Sequence, residues 1–166
     1  MCQAFCPAMI AAGGGAVINI ASAAAHFGTS PEVVYSTLKA AVVHYTRCLA
    51  DEVREFGVRV NAVSPGPAKT ARFQATRVVD PDKMNSNKAS FNRYAEPEEI
   101  ADGVVFLCSP EAKFIHGQLL RGDGGGLLAG GHRRAVGDQG RVGAVAGDLG
   151  LMHRLGARLE VDQPLR

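Results

Sequence analysis

Residues 58–66, Val58-Arg59-Val60-Asn61-Ala62-Val63-Ser64-Pro65-Gly66, decide how the rest of the chain is read. Apolar and polar side chains alternate along the run, and Ser64-Pro65-Gly66 then breaks it, the pattern of a strand that ends in a turn. Immediately upstream, Leu38, Ala41, Val42, Tyr45, Leu49, Val53 and Phe56 recur at helical spacing, and Gly57 closes that helix as its C′ glycine. Pro31 and Glu32 suit the first turn of this helix, with Ser30 before them as a cap. Farther upstream, Gly13-Gly14-Gly15 is a loop, and Ala16-Val17-Ile18-Asn19-Ile20 is a short buried strand. Downstream, Lys69 to Tyr94 is a polar stretch too long and irregular for a simple connection, and is a candidate lid or substrate loop. Glu96-Pro97-Glu98-Glu99 opens another helix with an apolar stripe of Ile100, Val104 and Leu107, its early acids favoured by the positive helix end. Gly117-Gln118-Leu119-Leu120-Arg121 is a last short strand before Gly122-Asp123-Gly124-Gly125-Gly126.

Strand and helix in alternation are the mark of right-handed parallel βαβ units, so the fold class is α/β. Three strands make a thin parallel sheet with an open edge, and the chain reads as the C-terminal half of a doubly wound one.

Composition narrows the field further. The chain has 166 residues, 46% of them hydrophobic and 20% charged, an ordinary globular balance with room for one domain. No run approaches the roughly 18 unbroken apolar residues of a spanning helix, so no membrane role is expected. The first residues lack a basic region of the secretory kind, and Cys2, Cys6, Cys48 and Cys108 stand without metal-ligand spacing. They read as free thiols in a reducing compartment, which points to the cytoplasm. The formal charge of +2 falls entirely on residues 131–166, which carry six Arg, four acids, seven of the 20 glycines and no aromatic. Residues 1–130 are therefore read as the domain and 131–166 as a loosely ordered extension, with a short helix expected near Leu149–Leu159. The acids interleave with the arginines there, and stacking aromatics are missing, so nucleic-acid binding is not expected.

Tyr35 and Lys39 are four apart on the predicted helix, so both leave the same face. A lysine ammonium held near a phenol favours the phenolate, and a phenol tuned in this way can serve as a general acid or base. Ser22 follows the first strand, where its hydroxyl can come down beside the phenol from the carboxyl edge of the sheet. Read singly, Tyr35 is a half-buried helix aromatic and Lys39 a solvated lysine. His26 and His116 lie near strand or loop ends and could line a pocket, or sit as ordinary surface or core residues. Arg72, Arg77 and Arg93 could neutralise an acidic substrate, though a solvated loop accounts for them better. No metal site is expected.

Read together, Asn19-Ile20-Ala21-Ser22, Tyr35-Ser36-Thr37-Leu38-Lys39-Ala40, residues 58–66 and Asp123-Gly124-Gly125 fall in the order and spacing of one family. Over about residues 1–130 the chain resembles the classical short-chain dehydrogenase/reductases (SDRs), which are NAD(P)-dependent oxidoreductases on a Rossmann fold. The resemblance implies hydride transfer between a nicotinamide (NAD or NADP) and a secondary alcohol or carbonyl. It implies that Tyr35 exchanges a proton with the substrate oxygen, that Lys39 tunes Tyr35 and anchors the nicotinamide ribose, and that Ser22 hydrogen-bonds the substrate oxygen. Pro65 and Gly66 would lie by the nicotinamide and Thr70 would touch the cofactor, so the cofactor set is Tyr35, Lys39, Pro65, Gly66 and Thr70.

The family's glycine-rich phosphate loop, its ribose-reading residue and its active-site asparagine have no match before Ser22. The expectation is therefore a truncated oxidoreductase: catalytic half present, dinucleotide half missing, inactive alone and weak toward NAD or NADP. Relatives pair through helices equivalent to that of residues 33–56, so a homo-oligomer is expected. The alternative is a non-enzymatic fragment or pseudoenzyme that only self-associates.

Overall fold

The computed structural model describes residues 2–28, 32–86 and 91–127. Three parallel strands, β1 (Gly15–Ile20), β2 (Val58–Pro65) and β3 (Leu119–Gly122), lie in the order β1-β2-β3. Gly15 pairs with Val58 through to Ile20 with Val63, and Ala62 through Pro65 pair with Leu119 through Gly122. Helix α2 (Val33–Val53) connects β1 to β2. The β2-to-β3 connection carries α3 (Ala71–Thr76), α4 (Pro81–Asn85) and α5 (Pro97–Cys108). Helix α1 (Cys2–Ala11) precedes β1. Among the described residues no helix is long and apolar enough to cross a membrane.

The central strand organises the core because both of its faces are covered, as a parallel sheet requires. On one face Val58 and Val60 pack with Leu49, Ala50 and Val53 of α2 and Cys6 of α1. On the other, Val63 packs with Leu107 of α5 and Ala112, and Ile18, Ile100, Val104 and Ile115 fill in around them. Full burial of each large aliphatic side chain is worth about 1.5–3 kcal/mol. The buried wall of Cys6 pushes its thiol pKa up from 9.0, with lesser contributions from Cys2 and Glu52, so the thiol is held protonated inside that core.

Polar side chains of β2 fasten the far connection. The Arg59 guanidinium donates to the carbonyls of Leu107 (2.5 Å), Cys108 (3.1 Å), Ser109 (3.3 Å) and Ala112 (3.2 Å), placing a cation where the C-terminal carbonyls of α5 lack partners. Asn61 donates through Nδ2 to the Ile115 carbonyl at 2.8 Å and accepts the Gln118 amide through Oδ1 at 2.9 Å. His116 accepts the Val60 amide through Nδ1 at 3.1 Å, so its Nε2 carries the proton that bonds the Ala50 carbonyl at 2.8 Å. His116 is thus a structural clip.

The elements follow the sequence reading closely, with instructive departures. Helix α5 opens on Glu96, whose side chain and that of Glu99 form a reciprocal capping box, with Pro97 in the first turn. Gly57 takes φ 70°, the left-handed value that ends the helical run. Strand β3 starts at Leu119, two residues later than read, because Gly117 at φ 68° still belongs to the turn that His116 and Asn61 pin down. The apolar stripe assigned to α2 needs correction: its buried residues are Val43, Thr46, Leu49, Ala50 and Val53, whereas Leu38, Tyr45 and Phe56 are exposed. The helix has two apolar faces, and the one against the sheet uses smaller side chains, including Thr46, which accepts from Asn19 of β1 at 3.0 Å. Residues 69–94 hold two short helices, α3 and α4. Ser30, Pro31 and the expected helix near 149–159 lie outside the described residues.

Candidate functional site

The candidate residues gather at the carboxyl ends of β1 and β2. After β1, Ser22 stands at φ −167° and caps a single 3₁₀ turn, Ala23–His26. Its hydroxyl oxygen accepts the Ala24 amide at 3.2 Å, which leaves the hydroxyl proton free to be donated outward. Tyr35 and Lys39 leave the first turns of α2 on one face. The Lys39 ammonium lies 5.8 Å from the centre of the Tyr35 ring and donates to the Ile20 carbonyl at 2.8 Å, at the end of β1. One lysine thus ties the strand end and the tyrosine together. Tyr35 is 39% exposed, and among the described residues no hydrogen bond joins it to Ser22. The outer side of β1 carries no further strand among the described residues.

At the end of β2, the Gly66 amide donates to the Gly122 carbonyl at 2.9 Å. A Cβ at Gly66 would stand 2.9 Å from the Asp123 Cα, so only glycine lets these two turns touch. Asp123 holds its own turn by accepting the Gly125 amide at 3.0 Å. Thr70 caps α3, its hydroxyl oxygen accepting the Phe73 amide at 3.2 Å and its proton again left to donate. The α5 side of the Pro65-Gly66 turn holds a cavity of about 160 Å³ lined by Gly66, Pro67, Arg93, Ile100 and Asp123, among others. Tyr35, Lys39 and Ser22 do not line it. Their surroundings are an open ledge, and the chemistry of the ledge outweighs the enclosure of the cavity.

Two arginines read as candidate substrate contacts are engaged elsewhere. Arg77 pairs with Glu32, the cap residue of α2, and so fastens the α3 segment to the start of the helix that bears Tyr35. Arg93 makes a two-pronged bond to Glu99, at 2.7 and 2.6 Å, which holds its guanidinium firmly charged. The Gly13-Gly14-Gly15 run donates the Gly13 and Gly14 amides to the Ile10 and Met9 carbonyls and packs on Gly57, so it ends α1 and does not cradle a phosphate.

A contact that sequence reasoning left open is His26. Its Nε2 lies 3.0 Å from the hydroxyl of Ser64, a fully buried residue, and so joins the serine turn to β2. Burial lowers the His26 pKa from 6.5, with Arg121 and Arg47 acting in the same direction and Asp123 against them. No spacing rule finds this pair, since the partners are far apart in sequence and meet only through the sheet.

A family model described as Enoyl-(Acyl carrier protein) reductase matches residues 1–126. The chain belongs to the short-chain dehydrogenase/reductase family. Among SDR relatives, it is 35% identical over 119 residues to a glucose and ribitol dehydrogenase homolog of Oryza sativa subsp. japonica, covering 72% of this chain and 40% of that one. It is 32% identical over 125 residues to the 7alpha-hydroxysteroid dehydrogenase of Escherichia coli (strain K12), covering 75% and 49%. A solved 7 alpha-hydroxysteroid dehydrogenase complexed with NADH and 7-oxo glycochenodeoxycholic acid superposes with a TM-score of 0.66 at 32% identity, over 75% of this chain and 49% of that one. A second structure, a short chain dehydrogenase/reductase family protein, gives 0.68 at 41% identity, over 76% and 52%. The chain thus spans about half the length of the SDRs it matches.

Proposed function

We propose that these residues form the catalytic half of an NAD(P)-dependent oxidoreductase acting on a secondary alcohol or carbonyl. The observation that carries the reading is the Lys39 ammonium, bonded to the end of β1 and held by the Tyr35 ring. Tyr35 gives its phenolic proton to a carbonyl oxygen, or takes one from an alcohol, and the Lys39 charge stabilises the anion that forms on the phenol. Ser22 donates its free hydroxyl proton to the same substrate oxygen and fixes where it lies. Bound nicotinamide would supply or accept the hydride. The donors on this ledge fit the nicotinamide end of such a cofactor: Lys39 for its ribose, the Pro65-Gly66 turn and the Thr70 hydroxyl for its ring side. Glycine loops that could carry the pyrophosphate are not found among the described residues.

Two measurements test this. Tyr35→Phe, assayed by nicotinamide absorbance in a polypeptide that joins these residues to a dinucleotide-binding segment, lowers turnover by about 10²–10⁴-fold. Near-normal turnover would remove Tyr35 from the acid/base role. For the 166 residues alone, calorimetric titration with NAD and NADP gives at best millimolar binding, because few contacts are left to offset an association cost of roughly 4–15 kcal/mol. Low micromolar binding would show that another segment replaces the glycine loop.

A second reading, self-association, rests on the outer side of α2, where Val33, Val34, Leu38 and Tyr45 are exposed. The two readings are compatible in one chain.

A further inference from the structure

We propose that His26 is a positioning residue that latches the Ser22 turn to the Pro65-Gly66 turn through Ser64, so that the two sides of the substrate ledge move as one. This deepens the function proposed above and rests on that reading for its catalytic consequence. The 3₁₀ turn has the Ser22 hydroxyl at one end and the His26 ring at the other. Among the described residues, two hydrogen bonds join this turn and its approach to β2: the Ala21 amide to the Val63 carbonyl at 2.8 Å, and the His26–Ser64 pair at 3.0 Å. Ser64 is directly followed by Pro65 and Gly66, and it pairs in register with Arg121 of β3. A displacement of the His26 ring is therefore felt on both sides of the ledge at once.

The protonation state of the ring matters because Ser64 is buried. Neutral His26 can accept a hydrogen bond from the Ser64 hydroxyl on Nε2, which gives that buried O–H its acceptor. Protonated His26 can only donate, which forces Ser64 to accept and strands its proton in a dry place. Among the described residues, the charged groups around the ring oppose its protonation on balance: Arg121 at the end of β3 and Arg47 on α2 repel a proton there, and Asp123, after β3, attracts one. The latch is closed with a neutral ring.

Heteronuclear NMR on the 166-residue chain reads this directly, with the His26 ring nitrogens and the Ser22 and Gly66 amides followed against pH. The expected result is one shared midpoint for the ring and both amides, below the ordinary imidazole value of 6.5. In Ser64→Ala the Gly66 amide stops following the ring while the rest of the spectrum keeps its dispersion. His26→Gln keeps the Ser22 and Gly66 resonances near their native positions, and His26→Ala shifts both. A Gly66 amide that ignores the ring titration, or follows it unchanged in Ser64→Ala, overturns the latch. In a polypeptide with turnover, His26→Ala lowers kcat about tenfold to a hundredfold with little change in cofactor KM, and His26→Gln restores most of it. A polypeptide that joins these residues to a dinucleotide-binding segment, binds the cofactor and still shows no turnover, while the NMR coupling is intact, removes the oxidoreductase reading and leaves the latch standing.

Discussion

The two halves of α2 have the same sequence character and different surroundings. From Val43 to Val53 the helix lies on β2, and Val43, Thr46, Leu49, Ala50 and Val53 are buried. From Val33 to Ala41 it overhangs the sheet, and Val33, Val34 and Leu38 are exposed near Tyr35 and Lys39. Apolar content alone therefore does not separate core from surface here. The second half holds the fold together, while the first presents the candidate chemistry and a face free to meet another molecule.

The sharpest way to break this comparison is to make one substitution in each half. Leu49→Ala, at 7% exposure, costs about 2–5 kcal/mol by urea denaturation, whereas Leu38→Ala, at 61%, stays within about 0.5 kcal/mol. Equal losses would mean that the overhanging half is packed in solution. Gly57→Ala tests where the buried half ends. It forces a Cβ onto a left-handed backbone and to 3.1 Å from the Gly13 carbonyl oxygen, and lowers stability by more than about 1 kcal/mol. A neutral result there would show that the connection into β2 relaxes freely. Leu38→Asp leaves the urea midpoint nearly unchanged but shifts sedimentation toward smaller species, if the exposed face is where copies meet. A wild type that sediments as a clean monomer at high concentration contradicts self-association outright.

The smallest effect expected is a pH dependence from His26. Its folded-state pKa is lowered, so the native state prefers the neutral ring. That contribution is fully present above the ordinary value of 6.5 and is lost as pH falls through the lowered folded value. Urea midpoints measured across that acid range fall more in wild type than in His26→Gln, and parallel curves would detach His26 from stability.

Much of this is legible in the amino-acid sequence. The strand-and-turn of residues 58–66, the glycine at 57 and the Glu96-Pro97 helix start are local signals, each set by backbone chemistry within a few residues, and all fall where they were read. The placing of Tyr35 and Lys39 on one face of α2, with Ser22 just after β1, is legible through spacing and order. What was not legible depends on distant partners. Two apolar faces on α2 give the same periodicity, and only the sheet decides which is covered. Arg77 reads as a free loop cation until Glu32 is seen beside it, and His26 reads as a lone imidazole until β2 brings Ser64 under it.

The strand order has a consequence for how the chain comes into being. Gly15 pairs with Val58 and Ala62 with Leu119, so no strand has a partner close by in sequence. The described strands cannot zip as hairpins during synthesis: β1 meets β2 only once α2 has been made, and β2 meets β3 only once α5 has. Topologies of this kind fold slowly and leave strand edges bare while they wait. The amphipathic second half of α2 is the local structure available to shelter those edges in the interval, which makes it the natural place to look for the folding nucleus.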